Sequence, residues 1–189
     1  MKKSDLPINV NKAYAVLIPM IELDGEMKIV LERRALNIPQ PDEISFPGGG
    51  IEEGEKARDA AIRETVEELG VNSSEIELRE ELPPLFTPFN TIIYPFIGLI
   101  KSKEFKPNEA EVSELIFLGL KELRNLKAEI YRSDISLNLP EDFPFDKIPN
   151  GEEYDWKKGH YDIYFYQLKD TTIWGITARL LYEFEKICN

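Results

Sequence analysis

The chain has 189 residues, of which 42% are hydrophobic, and this is enough apolar material for the core of one ordinary domain. Its formal net charge of −12 at pH 7 argues against a nucleic-acid backbone or an anionic membrane as partner, but not against a phosphorylated small molecule that binds with a cation. A single histidine, His160, and a single cysteine, Cys188, leave no His/Cys cluster for zinc and no intramolecular disulfide.

The first fifty residues predict a β-hairpin followed by a loop. Residues 13–21 form an apolar run of strand type, Asp24-Gly25 is a two-residue turn signal, and residues 27–33 have the pattern of a returning strand. Residues 36–45 contain two prolines and predict a loop that leads into the glycine-rich segment at 46–50.

The rest of the chain alternates between predicted helices and strands. Helices are expected at about 55–69, 121–126 and 172–187, and strands at 76–82, 91–100, 114–120 and 161–168. Pro95 predicts an edge or a bulge in its strand, because proline cannot donate a ladder hydrogen bond. Residues 133–159, rich in proline, glycine and charge, predict a long loop insertion within a single domain spanning 1–189. The order of elements predicts an α/β fold with a mixed, curved sheet between helices.

One motif carries most of the information about function in this sequence. Its fixed members are Gly49, then Glu55 after five residues, then Arg63, Glu64, Glu67, Glu68 and Gly70 after a further seven. On a helix, Glu64, Glu67 and Glu68 share one patch of surface, where their carboxylates repel unless a cation neutralises them. A hard divalent cation with free positions for phosphate oxygens does this well. The motif therefore predicts metal-assisted phosphate chemistry.

This spacing resembles the Nudix box, the loop–helix–loop signature of the Nudix hydrolases. The resemblance implies an α/β/α sandwich that uses Mg²⁺ or Mn²⁺ to cleave a nucleoside diphosphate linked to another moiety. It implies that Glu64, Glu67 and Glu68 are catalytic and bind metal, together with the Gly49 carbonyl. Thr65, in an apolar slot of the signature, is a mild departure. The alternative, a solvated acidic helix face, does not account for the glycines that frame the motif.

The remaining box positions predict structural roles. Arg63 is expected to clamp the loop by a two-point ion pair with Glu55, although a direct contact with substrate is the alternative. Gly70 suits the position just beyond the helix end. The general base stays open between Glu64 and a glutamate outside the box, for which Glu111 and Glu114 are the candidates.

A second resemblance concerns the substrate. Residues 30–35 and 46–49 are similar to the two ends of a pattern that precedes the box in Nudix coenzyme A diphosphatases, and 173–178 is similar to the start of their last helix. The middle of the pattern departs: Glu32 replaces a threonine, and no arginine lies between Ala35 and Phe46. We assign Arg34, Phe46 and Trp174 to substrate binding on this resemblance. Trp156 and Tyr161 are further aromatics that could stack on adenine, although such residues are more often core.

We therefore predict a hydrolase that splits coenzyme A or a derivative into 3′,5′-ADP and 4′-phosphopantetheine. The nearest alternative is a pyrophosphatase of ADP-ribose or another nucleoside diphosphate sugar. A nucleotide-binding domain without turnover, or an isomerase that uses Cys188 or His160, is less consistent with an intact box. The partner is a small-molecule nucleoside diphosphate derivative, and a homodimer is an option that the resemblance implies. Residues 1–7 lack the apolar stretch of a signal peptide, no apolar run is long enough to span a bilayer, and the single cysteine fits a reducing compartment, so we expect a cytoplasmic protein.

Overall fold

The computed structural model describes residues 6–188; residues 1–5, which include most of the segment that lacks a signal peptide pattern, and Asn189 lie outside the described part. The strands are β1 (Lys12–Leu23), β2 (Glu26–Arg34), β3 (Ile44–Ser45), β4 (Gly48–Gly50), β5 (Ile76–Glu81), β6 (Leu85–Thr87), β7 (Thr91–Ile100), β8 (Val112–Gly119), β9 (Glu129–Ile135), β10 (Gly159–Gln167) and β11 (Thr172–Trp174). The helices are α1 (Ala57–Leu69), α2 (Leu120–Asn125) and α3 (Gly175–Cys188).

The hairpin of β1 and β2 is formed as its turn residues predict. Asp24 and Gly25 have φ angles of 53° and 75°, the left-handed values that a two-residue turn between twisted strands needs. Leu23 pairs with Glu26 directly across this turn. The hairpin places β2 beside β1 in the middle of the main sheet.

The main sheet has eight strands in the order β3-β2-β1-β7-β5, with β4 also on β1, β6 also on β7 and β8 also on β2. β1 and β7 run parallel, and the other pairs are antiparallel. β1 pairs with β4 along 14–16 and with β2 along 20–23, so its partner changes halfway. The glycine-rich segment is thereby held against the centre of the sheet.

Helices cover both faces of this sheet. On one face α1 packs through Ala60, Ala61 and Leu69 onto a buried layer that includes Leu17 and Val30. On the other face, α3 packs onto a separate layer, together with the small sheet β11-β10-β9. This three-layer arrangement confirms the predicted α/β/α sandwich with a mixed sheet.

Three sequence predictions differ from the structure. Residues 133–135 and 159 belong to β9 and β10, so the predicted loop insertion was too wide; β9 is exposed along its whole length and lacks the apolar alternation that would have revealed it. Residues 172–174 form β11 instead of the start of the last helix, because they pair with β10. Of the two alternatives predicted for Pro95, the edge is wrong, because β7 is an interior strand; the register shift of β7 with β5 lies at Ile97 and Gly98, and Pro95 lies where the partner of β7 changes from β5 to β6.

No helix within residues 6–188 combines the length and the apolar character needed to cross a membrane.

Candidate active site

The glycine-rich strand β4 and the helix α1 bring the box residues together. The glycines of β4 pair with β1, and α1 lies over this strand pair because its inner positions are the small residues Ala60 and Ala61. Along the helix, Glu68 is 5% exposed and the Glu64 side chain 16%, while the Glu67 side chain is 53% exposed. The three carboxylates therefore run from the protein interior to the solvent.

Arg63 ties the loop to the helix. Its Nε and Nη2 atoms donate to the two carboxylate oxygens of Glu55 at 2.9 and 3.1 Å, and Nη2 also donates to the Gly50 carbonyl at 3.0 Å. Its Nη1 donates to Glu64 at 2.7 Å and to Glu67 at 3.3 Å. The guanidinium thus has the two-point geometry expected of a structural clamp, and it also neutralises part of the charge of two box carboxylates.

Backbone groups of β4 meet two of the carboxylates. The Gly48 N–H donates to Glu68 Oε2 at 2.8 Å. The Glu64 carboxyl lies against Gly49, where an added Cβ would be only 2.3 Å from its carboxyl carbon. A side chain at position 49 would therefore displace Glu64, which gives a physical reason for glycine at this position.

Glu32 is a site residue that the sequence reasoning missed. It lies on β2, is 1% exposed, and accepts a hydrogen bond from the Ser45 hydroxyl at 3.0 Å. In the sequence it stood out only as a replacement for a threonine. A carboxylate directly after the apolar run Ile29–Leu31 was the signal that could have identified it, because a charge in such a run is rarely buried without a partner.

Burial and mutual repulsion perturb these carboxylates. Burial raises the pKa of Glu68 far above its ordinary value, the charge of Glu32 raises it further, and the Gly48 hydrogen bond only partly offsets this. Burial likewise raises the pKa of Glu32, with Ser45 and Arg34 acting in the opposite direction. Burial also raises the pKa of Glu64, against the lowering effect of Arg63. Such a cluster favours either protons or a bound cation.

These shifts predict a pH dependence of the metal-free protein. The folded pKa values of Glu32 and Glu68 lie above the value of 4.5 that applies to an unperturbed glutamate. Above about pH 5 the folded state therefore holds more protons than the unfolded state, and the free energy of unfolding decreases as the pH rises. We expect Tm in EDTA to fall from about pH 5 to about pH 8. A Glu68→Gln variant should show a shallower decline, and a decline as steep as that of the unaltered protein would contradict the assignment.

The donor set fits a hard divalent cation. All of its members are oxygens, as Mg²⁺ and Mn²⁺ prefer. Within residues 6–188 no three acidic, His or Cys side chains are arranged as a set of metal ligands. Instead, Arg63 donates hydrogen bonds to Glu64 and Glu67, and the Gly48 N–H donates one to Glu68. Glu64, Glu67 and Glu68 are the residues that would hold the cation once their carboxylates turn from these partners, with the Gly49 carbonyl beside them.

A cleft of about 750 Å³ borders two residues that hydrogen-bond to the carboxylates. Ser45 and Gly48, which hydrogen-bond to Glu32 and Glu68, form part of its wall. The three residues that we assigned to substrate binding lie in the same wall: Arg34, Phe46 and Trp174. The cleft therefore joins the acidic centre to a region with one arginine and several apolar side chains.

Of the other residues that the sequence suggested for the site, some lie at the cleft or near the carboxylates and others do not. Tyr161 lines the cleft, whereas Trp156 packs against Phe143 and Tyr154 in the loop after β9. Glu111 is close enough for its charge to act on Glu32, Glu64 and Glu68. Glu114 instead forms an ion pair with Arg33 at 3.0 Å. His160 lies on β10, opposite Asp134 of β9.

Comparison with known proteins agrees with this geometry. A family model described as the NUDIX domain matches residues 11–138. The chain is 25% identical over 183 residues to Nudix hydrolase 3 of Caenorhabditis elegans, covering 93% of this chain and 72% of that protein. It is 31% identical over 180 residues to Nudix hydrolase 15, mitochondrial, of Arabidopsis thaliana, covering 90% of this chain. The chain spans only 56% of the length of that plant relative.

A solved structure shows the same fold. The crystal structure of a MutT/nudix family protein from Enterococcus faecalis has a TM-score of 0.58 and 16% sequence identity, and the match covers 97% of this chain and 64% of that one. The mixed sheet between helices, the family match and the two relatives lead to one conclusion. The chain belongs to the Nudix hydrolase family, whose members act on phosphorus-containing anhydrides.

Proposed function

We propose that this protein uses Mg²⁺ or Mn²⁺ to hydrolyse the pyrophosphate bond of coenzyme A or a coenzyme A derivative. The observation that carries the proposal is the junction between the acidic centre and the large cleft. Ser45 and Gly48 touch both, so a diphosphate at the carboxylates would extend directly into the cleft. The products would be 3′,5′-ADP and 4′-phosphopantetheine, or its acyl form.

The protein's own groups have defined tasks in this reaction. Glu64, Glu67 and Glu68 hold the cation, which when bound screens the phosphate oxygens and makes the attacking water more acidic. Water adds to one phosphorus, the bond from that phosphorus to the bridging oxygen breaks, and the bridging oxygen leaves on the other phosphate. Glu64 or Glu111 accepts the proton that the water loses. Arg63 keeps the loop and the helix in register through Glu55, so the carboxylates stay in position.

The wall of the cleft supports a coenzyme A substrate. Phe89, Trp174 and Ile176 are exposed apolar side chains along this wall and suit a pantetheine arm. Arg34 lies in the same wall, with Nε donating to the Pro39 carbonyl at 3.1 Å. Its remaining donors could bind a phosphate, as the 3′-phosphate of coenzyme A requires.

Hydrolysis of ADP-ribose or another nucleoside diphosphate sugar is the second candidate. The acidic centre would serve either reaction equally, since both break the same type of bond. The absence of an arginine between Ala35 and Phe46 favours this alternative, because one phosphate contact of the coenzyme A pattern is missing. The two candidate functions differ in whether turnover depends on the 3′-phosphate, which coenzyme A has and ADP-ribose lacks.

The test is an Arg34→Ala variant assayed with coenzyme A and with 3′-dephospho-coenzyme A. A charge-assisted hydrogen bond contributes about 1.5–3 kcal/mol, so kcat/KM for coenzyme A should fall by about 10- to 100-fold. The value for the dephospho compound should change little, because it lacks the group that Arg34 binds. Product release is measured by chromatography of 3′,5′-ADP.

Arg33→Ala is the matched control, since Arg33 is the neighbouring arginine of β2, pairs with Asp42 and Glu114, and is absent from the cleft wall. It should leave the ratio of the two kcat/KM values unchanged. An Arg34→Ala variant that loses activity equally on both compounds would remove the assignment of the 3′-phosphate. Efficient turnover of ADP-ribose with little turnover of coenzyme A would select the second candidate.

We further propose that residues 1–189 act as one domain, that the protein is cytoplasmic, and that it acts on small molecules either as a monomer or as a homodimer. Residues 139–188 lie beyond the family match, yet α3 shares a buried layer with β1 and β2, which supports the single domain.

A further inference from the structure

Strand alternation directs Glu32 toward the acidic centre. On β2, Val30 packs into the layer beneath α1, and Leu31 packs into the layer on the opposite face of the sheet. Because side chains alternate along a strand, Glu32 returns to the α1 side of the sheet, and Glu68 lies in the last turn of α1. Glu32 is 1% exposed there, so its carboxylate has no access to bulk water.

One oxygen of Glu32 is satisfied and the other is not. Oε1 accepts the hydrogen bond from Ser45 at 3.0 Å and lies 3.9 Å from Arg34 Nη1. Oε2 is fully buried, and within residues 6–188 no hydrogen-bond partner reaches it. A buried carboxylate oxygen without a partner costs free energy, so this atom points to a ligand at this position.

Both Arg34 and several other carboxylates act on the charge of Glu32. Its charge is the strongest charge effect on Glu68, and the charges of Glu64 and Glu111 act on Glu32 in turn. The carboxylates of Glu32, Glu64, Glu68 and Glu111 are therefore near enough to repel one another. Arg63 donates to Glu64 and Glu67, whereas Arg34 Nη1 lies 3.9 Å from Glu32 Oε1, beyond hydrogen-bond distance.

We propose that Glu32 is a further ligand of the divalent cation, binding it through Oε2 on the side of the centre formed by Glu68. The inference rests on the proposed metal dependence of the hydrolase and adds a ligand that lies outside the box. Within residues 6–188 Glu32 Oε2 has no hydrogen-bond partner, and a divalent cation, which takes carboxylate oxygens as ligands, would supply a partner.

The test is the binding of Mn²⁺ alone to Glu32→Gln, measured by titration calorimetry and by the electron paramagnetic resonance signal of free Mn²⁺. Glutamine retains the size of the side chain and an oxygen that can accept from Ser45. We expect Kd for Mn²⁺ to rise about 10- to 100-fold, as for loss of a group that supports a metal. The increase in Tm that saturating Mn²⁺ produces should shrink accordingly. Glu122→Gln, an exposed glutamate of α2, removes the same charge elsewhere and should bind Mn²⁺ like the unaltered protein.

The outcomes separate this inference from the proposed function. If the unaltered protein binds no Mn²⁺, the metal-dependent function itself fails. If it binds Mn²⁺ and Glu32→Gln binds it equally well, only the role of Glu32 is overturned. Crystals of the unaltered protein grown with MnCl₂ give a second answer that does not depend on the variant folding. We expect an anomalous peak within coordination distance of a Glu32 oxygen; an ion bound only to box residues would contradict the proposal.

Discussion

Glu64→Gln is expected to lower kcat with Mg²⁺ by on the order of 10²–10³-fold while leaving the fold intact. Charge stabilisation by a bound metal is worth several kcal/mol in the transition state, and each 1.36 kcal/mol corresponds to about tenfold in rate. Glu64 contacts Arg63 at 2.7 Å and lies against Gly49, so its oxygens meet the Gly49 backbone that we assign to the metal centre. Steady-state kinetics over a range of Mg²⁺ concentrations measures the effect.

Measuring Tm of the Glu64→Gln variant distinguishes a chemical role of Glu64 from a structural one. Burial already penalises its charged form, so the neutral glutamine should cost little in Tm even though it weakens the pairing with Arg63. Glu53→Gln is the matched control, because Glu53 lies exposed in the same box loop and outside the fixed positions. Activity of Glu64→Gln within about threefold of the unaltered enzyme, far from the expected loss, would show that Glu64 is neither a metal ligand nor the base.

Gly70→Ala is expected to destabilise the protein by about 3 kcal/mol. Gly70 ends α1 with φ 65°, a conformation that costs a side chain energy, and its N–H donates to the Val66 carbonyl. An added Cβ would lie 1.9 Å from the carbonyl oxygen of Lys106, and this backbone atom cannot rotate away as a side chain would. Urea unfolding followed by circular dichroism gives the free energy of unfolding and its slope.

Gly25→Ala distinguishes the clash from the backbone conformation. Gly25 has a similar φ of 75° in the β1–β2 turn, but an added Cβ there would meet no atom within 4 Å. We expect a loss of about 1–2 kcal/mol for this variant, which is the conformational cost alone. Equal losses for the two variants would show that the loop at Lys106 yields at little cost.

The Gly70 contact also matters for the site. The Lys106 N–H donates to the Leu69 carbonyl at 3.1 Å, and the Asn108 N–H donates to the Glu68 carbonyl at 3.0 Å. The loop that carries Glu111 is therefore docked on the end of α1. A helix end that shifts to accommodate the added methyl group should move Glu111 as well, so we expect Gly70→Ala to lose activity as well as stability.

Sequence patterns predicted the structure correctly where the conformation depends only on neighbouring residues, as in turns and at helix ends. The Asp24-Gly25 turn needs two left-handed residues, and the chain supplies them where strands on both sides can pair. The box helix ends at Gly70 because glycine alone adopts its conformation at little cost. The spacing of Glu64, Glu67 and Glu68 predicted that they share one face of the helix. In the structure Glu68 is buried, Glu64 is mostly buried and Glu67 is exposed.

Features that depend on a distant partner were not predictable in the same way. β9 has no apolar face and is a strand only because β10 pairs with it. Residues 172–174 have helical spacing but pair with β10 before α3 begins. Pro95 tolerates an interior strand only because its neighbour is interrupted beside it. In each case the outcome depends on a pairing partner in another strand, which a local pattern does not identify.

The sequence by itself determined the family, the three-layer class and the set of box carboxylates, because fixed spacings on one helix and one loop carry that information. The tertiary structure alone decided that Glu32 is buried where its charge acts on Glu68, and that Arg34, Phe46 and Trp174 line one cleft. These residues come from β2, β11 and the loop before β4, and only the folding of the sheet brings them together. The charge of one buried carboxylate affects another according to the distance between them in space. That distance is set by strand pairing and not by their positions in the chain.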